Sequence, residues 1–299
     1  MSLREQQWEI AGVRFGYGTG LEVREFEIGP PDIETGDLTL PGQDGTVFGR
    51  DTHSGRTLTW ELFTARQWTA PEARARWAEL QSVWSDPTIR LRPRAVVPLR
   101  MRIPGSRTVV VYGRPRRFEA PGAGMLRQGH VELLADFTTA DGLFYDDVGP
   151  SGEGGARSIT LTLVASGGSG IVWPVEWPAV WGSQGERQDA VVNRGDSPSW
   201  PVITFYGPVA QPSIEIVGTG RRLSLDATLA YDRSITIDTR PWARTILRDD
   251  GASFAGAARG AALSDFQLPV GQTVLAYRGS DASGQSRCVI EWRDAYSTP

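Results

Sequence analysis

The sequence contains no lysine, one cysteine and two histidines among its 299 residues. A single cysteine, Cys288, excludes an internal disulfide and a thiolate zinc cluster. His53 and His130 are too few for a histidine-rich metal site, and no GxSxG motif is present to supply the serine of a hydrolase triad. The composition therefore favours neither a metalloenzyme nor a serine hydrolase.

Long apolar runs and an N-terminal leader are also missing. The longest apolar run, Val109–Tyr112, has about four residues, far fewer than the ~20 needed to span a bilayer. The first seven residues contain no apolar segment, so we expect no secretory leader. With 31 basic and 35 acidic residues the formal charge is −4. These features predict a soluble globular protein with no membrane insertion and no specific nucleic-acid binding.

Glycine and proline are abundant, at 35 and 20 residues, which predicts many short strands joined by turns. Residues 21–28 and 56–63 alternate apolar and polar side chains, as strands with one buried face do. One helix is predicted over 70–84, because Thr69 and Glu72 form a capping box at its start. Its apolar face comprises Ala73, Trp77, Leu80 and Trp84. Further strands are predicted in the first half at 88–92, 95–103, 107–118 and 129–138.

A glycine-rich stretch, Gly149–Ala156, is the clearest change of composition and predicts a flexible linker. We therefore predict a domain over 1–148, a linker over 149–156 and a second domain over 157–299. The whole chain is expected to be mostly β, with an N-terminal β-sandwich carrying one α-helix and a C-terminal β-sandwich or jelly roll. Strands of the second half are predicted at 158–165, 171–175, 200–206, 213–217, 221–225, 234–238, 243–247, 273–278 and 286–293.

Charge is distributed unevenly within the first half. Nine arginines and no acid lie between 90 and 117, namely Arg90, Arg92, Arg94, Arg100, Arg102, Arg107, Arg114, Arg116 and Arg117. Eight acids lie between 22 and 51, namely Glu22, Glu25, Glu27, Asp32, Glu34, Asp37, Asp44 and Asp51. Three interpretations are open: an ion-paired surface within one chain, nucleic-acid contact through the basic stretch, and head-to-tail association of identical subunits.

Three tryptophans, Trp173, Trp177 and Trp181, are spaced four residues apart with prolines between them. The prolines exclude a helix, and residues four apart on an extended chain share a face. Such a face can stack on sugar rings, fill a sandwich core or contact another subunit. Sugar stacking would make the chain a carbohydrate-binding module that adheres to a cell wall. A glycoside hydrolase would need two carboxylates about 5–10 Å apart in a cleft, and the sequence singles out no such pair.

Several ordered stretches resemble the distal tail proteins of long-tailed, non-contractile bacteriophages. The segment 140–145 is similar to a D-P-L-F-Y segment of that family, except that Gly142 replaces the proline. The segment 193–203 resembles its N-x-G-D-x-P-x-x-P-x-I strand, and 236–241 its I-D-T-R-P turn. The other matching stretches are 15–18, 44–58, 268–274 and the W-R-D-A-Y segment at 292–296.

The resemblance implies a structural protein of the virion, with no catalytic residues and no cofactor, located at the distal tip of the tail and made in the host bacterial cytoplasm. It implies a hexameric ring built by a tail-tube-like N-terminal domain, from which a galectin-like C-terminal sandwich projects. The expected partners are other copies of the chain, the tail tube protein, and tail-tip hub, tape-measure and receptor-binding proteins, with weak host glycan contact as a further expectation. We expect the arginines of 90–117 to face the acids of 22–51 across the ring contact, so that charge reversal at Arg100 and Arg102 weakens assembly.

Overall fold

The computed structural model describes residues 2–42, 44–64, 68–121, 123–149, 152–153, 155–163 and 186–299. The chain forms two compact units, the first comprising Met1–Gly154 and Tyr296–Pro299 and the second Gly155–Ala295. Both consist mainly of antiparallel strands, which confirms the mostly β prediction. The last four residues belong to the first unit, and no sequence pattern indicated that return.

The first unit is built on one large antiparallel sheet. Its main path runs β2-β1-β9-β10-β11-β8-β3, with β12 paired to β10 beside it. The strands are β1 Gln7–Ile10, β2 Val13–Gly16, β3 Leu21–Ile28, β4 Ile33–Glu34, β5 Leu38–Thr39, β6 Thr46–Val47, β7 Thr52–His53, β8 Thr57–Thr64, β9 Val97–Arg102, β10 Val109–Glu119, β11 Glu132–Thr139, β12 Phe144–Asp146, β13 Val148–Gly149 and β14 Gly152–Glu153; the helices are α1 Ala70–Trp84 and α2 Pro87–Arg90.

Aromatic side chains fill the core of this unit. The Trp60 ring lies 5.2 Å from Phe26 and 6.3 Å from Trp84, centroid to centroid. Because strand side chains alternate, Trp60 on β8 points inward while its neighbours in sequence are more exposed. Helix α1 contributes Leu80 and Trp84, both buried, and the Trp84 Nε1–H donates to the Asp136 carbonyl at 3.1 Å. The helix is therefore stabilised mainly by the packing of its one apolar face against the domain core.

The predicted helix over 70–84 and its capping box are confirmed. The Glu72 carboxylate accepts a hydrogen bond from the Thr69 backbone N–H at 2.8 Å. The strand predicted over 88–92 is wrong, because Pro87 to Arg90 form the single helical turn α2. Asp86 caps this turn by accepting a hydrogen bond from the Thr88 N–H at 2.8 Å, and Pro87 at the first helical position is compatible with a helical start.

The second unit is a two-sheet β-sandwich. One sheet has the order β15-β25-β17-β21-β22 and the other β16-β24-β18-β19-β23, with β20 paired to β18. Their facing side chains, including Phe205, Ile214 and Ile290, form a common core. The strands are β15 Arg157–Thr162, β16 Glu186–Asn193, β17 Val202–Tyr206, β18 Val209–Ile216, β19 Arg221–Leu225, β20 Thr228–Leu229, β21 Ser234–Asp238, β22 Thr245–Arg248, β23 Ala258–Gly260, β24 Gly271–Ser280 and β25 Arg287–Trp292. The last strand, β26 Ala295–Tyr296, pairs with β12 in the large sheet of the first unit.

The structure contains a strand in the sandwich and a short ladder at the domain boundary that the sequence did not predict. Strand β16 was not predicted, whereas the strand predicted over 171–175 lies outside the described residues. Within the predicted linker, Gly149 pairs with Gly152, so β13 and β14 form a short antiparallel ladder. The flexibility of 149–156 stays a prediction.

Candidate interaction surfaces

Between β3 and β8 the chain forms a narrow antiparallel extension, which we call the arm and define as residues 30–54. Strand β4 pairs with β7, and β5 pairs with β6 nearer the tip. The two chains pass each other closely, because a Cβ on Gly49 would lie 2.1 Å from the Gly36 carbonyl oxygen. Every described residue from 32 to 53 is exposed. The arm thus has backbone pairing but no core of its own.

The arm exposes large apolar side chains to solvent. Phe48 is 82% exposed, and four others are between 44% and 63% exposed, namely Ile33, Leu38, Leu40 and Val47. A strand ladder of two residues is too short to be stable by itself in water. Apolar side chains gathered on one exposed segment are typical of a surface that another protein covers.

The arm is also acidic. Its five carboxylates and one arginine, Arg50, give a net charge of 1 − 5 = −4 with His53 neutral. Asp37 accepts a hydrogen bond from the Gly49 N–H at 3.0 Å. Within the described part of the chain, the arm's carboxylates, Asp32, Glu34, Asp37, Asp44 and Asp51, form no ion pair. Their charge is therefore available to a partner.

The remaining acids predicted at an interface lie on β3, at one end of the sheet path. Glu22 accepts a hydrogen bond from the Gly18 N–H at 3.0 Å. Glu25 lies opposite Glu61 of β8 in the strand register, and Glu27 is exposed. Charged side chains on an edge strand discourage unspecific strand pairing. The acidic residues therefore continue from this edge onto the arm.

Arg100, one of the predicted interface arginines, is largely buried and has partners within its own chain. Its side chain is 17% exposed, with Nε 2.6 Å from Asp147 Oδ2 and Nη1 3.0 Å from Glu9 Oε1. Burial alone would raise the pKa of Glu9, but hydrogen bonds from Arg14 and Arg100 hold it below its ordinary value. Of the three interpretations of the charge pattern, the geometry of Arg100 supports ion pairing within one chain.

The other predicted arginines fall into two groups. Four of them contact their own chain: Arg102 Nη1 donates to the Leu3 carbonyl at 3.3 Å, Arg107 lies 3.7 Å from the Tyr296 ring centre, Arg114 Nε donates to the Ala95 carbonyl at 2.6 Å, and Arg117 lies 2.6 Å from Glu119. By contrast, Arg90, Arg92 and Arg116 are exposed and form no ion pair with any residue described here. These three arginines are therefore available to form ion pairs with carboxylates of another molecule.

Arg90 and Arg116 lie at a cleft between the helices and β10. The cleft has a volume of about 190 Å³, and Trp84 and Pro115 contribute to its apolar lining. Arg114 lines it as well. The cleft also has one carboxylate, Asp86, so its three arginines outnumber its acids. A partly apolar cleft with an excess of arginines suits an apolar side chain flanked by carboxylates, since guanidinium groups pair with carboxylates and stack on aromatic rings.

The motifs that carry the family resemblance meet in the second unit around Asn193. This asparagine is 1% exposed, and its amide donates to the carbonyls of Ser197 at 2.8 Å and Leu268 at 3.3 Å. Its Oδ1 accepts from the N–H groups of Gly195 at 3.1 Å and Ala295 at 3.3 Å. One side chain thus joins three of the matching segments, and their role is to shape the sandwich.

The predicted sugar-stacking residues Trp173, Trp177 and Trp181 lie outside the described residues, so sugar stacking stays a prediction. Among the residues that the structure describes, no group of three or more histidine, cysteine, aspartate or glutamate side chains is arranged to hold a metal ion. None of the described helices is long and apolar enough to cross a membrane.

Comparison with known proteins finds related folds but no related sequence. Neither a family model nor a curated protein sequence matches the chain. The fold is similar to that of the Dit protein of phage SPP1, described as a hub of the adsorption apparatus in phages that infect Gram-positive bacteria. The TM-score is 0.57 at 15% identity, covering 97% of this chain and 98% of the SPP1 chain.

Two structures of the phage P2 baseplate in its activated conformation also match. The one with calcium has a TM-score of 0.53 at 10% identity, covering 96% of this chain and 97% of the baseplate chain. The one with strontium has a TM-score of 0.51 at 11% identity with the same coverage. The fold of this chain is thus similar to those of the SPP1 and P2 proteins over almost its full length.

Proposed function

We propose that this chain is a structural protein of a phage tail, which forms a ring at the distal end and joins the tail tube to the tip. The observation that carries the proposal is the end-to-end match to the SPP1 Dit hub, which includes both units. A shared fold does not by itself transfer function. The proposal therefore also relies on surfaces of this chain that are suited to assembly.

The arm supplies one side of the proposed subunit contact. Each side of the arm has about 11 residues, which would span at most roughly 35 Å at the rise per residue of an extended chain. The arm presents Phe48 and acidic side chains that have no ion-pair partners among the described residues. Burying the apolar side chains against another copy removes them from water, which is the main favourable contribution in most protein association.

The cleft of Arg90 and Arg116 supplies the other side. The arm carries a net −4, and the cleft rim carries cations without carboxylate partners in the described chain. Such complementarity orients the encounter and fixes register. Because the arm and the cleft are different surfaces of one subunit, the contact is heterologous, and a heterologous contact closes into a ring when its rotation allows.

In the proposed assembly the chain has six copies and lies at the distal tail tip of the virion. One face of the ring would bind the tail tube protein, and the rest would hold the tail-tip hub, tape-measure and receptor-binding proteins. Its function is to position these proteins, and it needs no catalytic group or cofactor for that role.

The test is the mass of the purified full-length chain in solution, measured by light scattering after size exclusion over a range of protein concentrations. We expect a species of six times the 32.6 kDa chain mass, with a ring visible by negative-stain electron microscopy. A chain that remains monomeric up to the highest soluble concentration would overturn the ring proposal.

A further inference from the structure

A groove runs along the free edge of β3 in the first unit, and we call it the β3 groove. In the described chain β3 pairs with β8 alone, so its other edge is unpaired there. Trp8 of β1 and Phe26 of β3 form apolar walls of the groove, with their ring centroids 5.1 Å apart. Ile103 and Pro104, which follow β9, also line it. Its volume is about 370 Å³, within the range of protein binding pockets.

The charged side chains around the β3 groove leave an excess of acid. Glu22 lines the groove and forms no ion pair with a described residue. Arg24 also lines it, but its guanidinium is paired with the Glu132 carboxylate at 2.7 Å. Glu25 and Glu27, further along β3, are exposed and likewise lack an ion-pair partner in the described chain. The groove therefore suits an apolar group that brings positive charge with it.

One exposed segment of this chain has that combination. Leu91 is 73% exposed and lies between Arg90 and Arg92, both of which are exposed. Among the large exposed apolar side chains that the structure describes, Leu91 alone has arginine on both sides. Phe48 is more exposed, but the arm that carries it is acidic and would be repelled by the glutamates of β3. Residues 90–92, which we call the Leu91 segment, therefore match the chemistry of the groove.

The Leu91 segment and the β3 groove lie at opposite ends of β9. Arg114 donates hydrogen bonds to the carbonyls of Arg92 and Ala95, which hold the segment beside the start of β9. The groove residue Ile103 follows the last residue of β9. Because the six residues of β9 span roughly 20 Å, the two surfaces of one subunit are about that far apart. A contact between these surfaces therefore joins two copies of the chain and is heterologous.

We propose that Leu91 of one copy inserts into the β3 groove of the next copy in the ring. The leucine side chain is removed from water against Trp8 and Phe26, and Arg92 pairs with the glutamates of β3. This contact rests on the ring proposed above and adds to it a second region of attachment. It is continuous with the first region, since the arm follows β3 and Arg90 of the Leu91 segment lines the cleft.

Thiol cross-linking of the full-length chain tests the contact. Cys288 is the only cysteine of the chain and is buried, so introduced surface thiols react selectively. Leu91→Cys places a thiol on the segment, and Tyr17→Cys places one on the groove, which the 63% exposed Tyr17 lines. With a short bismaleimide, we expect the variant with both changes to form a ladder of covalent oligomers up to the hexamer. Either change alone should give no ladder.

Removal of the leucine side chain tests its contribution to association. Leu91→Ser should weaken association roughly 10- to 100-fold, the range expected when a leucine buried in a contact is lost. The fold should be unaffected, because Leu91 is exposed in the single chain. Val270→Ser, at a 50% exposed valine of the second unit that belongs to neither surface, is the control and should leave association unchanged. Solution mass against protein concentration measures association in each variant.

The outcomes distinguish this contact from the ring itself. If the unmodified chain forms the ring and Leu91→Ser assembles equally well, the groove contact is refuted and the proposed function stands. The same holds if the ring forms but the variant with both cysteines gives no covalent ladder. A chain that stays monomeric at every concentration refutes the ring and the groove contact together.

Discussion

At the scale of single residues, burial decides which charges stabilise the fold and which remain for partners. Arg100 bridges Glu9 and Asp147, and the Asp147 side chain is only 2% exposed. Arg90, by contrast, is exposed and has no ion pair in the described chain. Reversing the charge of Arg100 would therefore change the stability of the fold. Assembly is better tested at the exposed arginines Arg90 and Arg116.

We expect Arg100→Met to lower the free energy of unfolding by about 3–5 kcal/mol, because it leaves Asp147 buried without its cation. Equilibrium urea unfolding of the two variants measures the effect. Arg76→Met is the matched control, since Arg76 pairs with Glu79 on the exposed side of α1 with side-chain exposures of 39% and 45%. That change should cost under about 1 kcal/mol. Equal small losses in both variants would mean that Asp147 is solvated when Arg100 is absent.

The sequence predicted which side chains of a helix are buried more readily than it predicted what a polar side chain does in the fold. The spacing of Leu80 and Trp84 identified the buried face of α1, because helix periodicity follows directly from backbone geometry. The motif around Asn193 was recognised by resemblance, but its four hydrogen bonds join segments up to 102 residues apart along the chain. Such contacts have no local signal, so the structural role of the motif could only come from the folded chain.

At the scale of elements, local signals succeeded where they were strong and periodic. Helix α1 has both a capping box and an apolar face, whereas α2 has only a cap and was mistaken for a strand. The arm's strands β4 to β7 are two residues long each and give no periodic pattern. Its acids and apolar residues were visible in the sequence, but their exposure on one extension was not.

The arm predicts a separation between folding and assembly. Phe48 is 82% exposed, so Phe48→Ser should change the free energy of unfolding by no more than about 0.5 kcal/mol. If Phe48 is buried in the subunit contact, its loss should weaken association by about 2 kcal/mol, roughly 30-fold, as at aromatic hot spots. Tyr231→Ser in the second unit, where Tyr231 is 64% exposed, should change neither quantity. Solution mass against protein concentration measures association, and an unchanged profile for Phe48→Ser would remove the arm tip from the interface.

At the scale of the whole molecule, the net charge of −4 hides a separation of acidic and basic surfaces within one unit. The acids continue from β3 onto the arm. Arg90 and Arg116, two of the three exposed arginines that form no ion pair with a described residue, lie at the cleft beside α2. The sequence showed that both groups exist, because charges can be counted along a chain. It could not show which arginines are neutralised internally, since Arg100 pairs across 91 residues with Glu9.

This separation allows a charge-swap experiment that only a specific contact can satisfy. Reversing Arg90 and Arg116 to Glu should weaken assembly, and reversing Glu34 and Asp51 on the arm to Arg should do the same, because each places like charges opposite one another. Combining the four changes restores complementarity, so assembly should recover, and it should weaken as salt is added because exposed charges are screened. Arg74→Glu, on the exposed side of α1, alters net charge without touching either surface and should leave the mass unchanged. If each reversal weakens assembly but the combined variant stays dissociated, the arm and the cleft do not meet, and the contact must use other surfaces of the first unit.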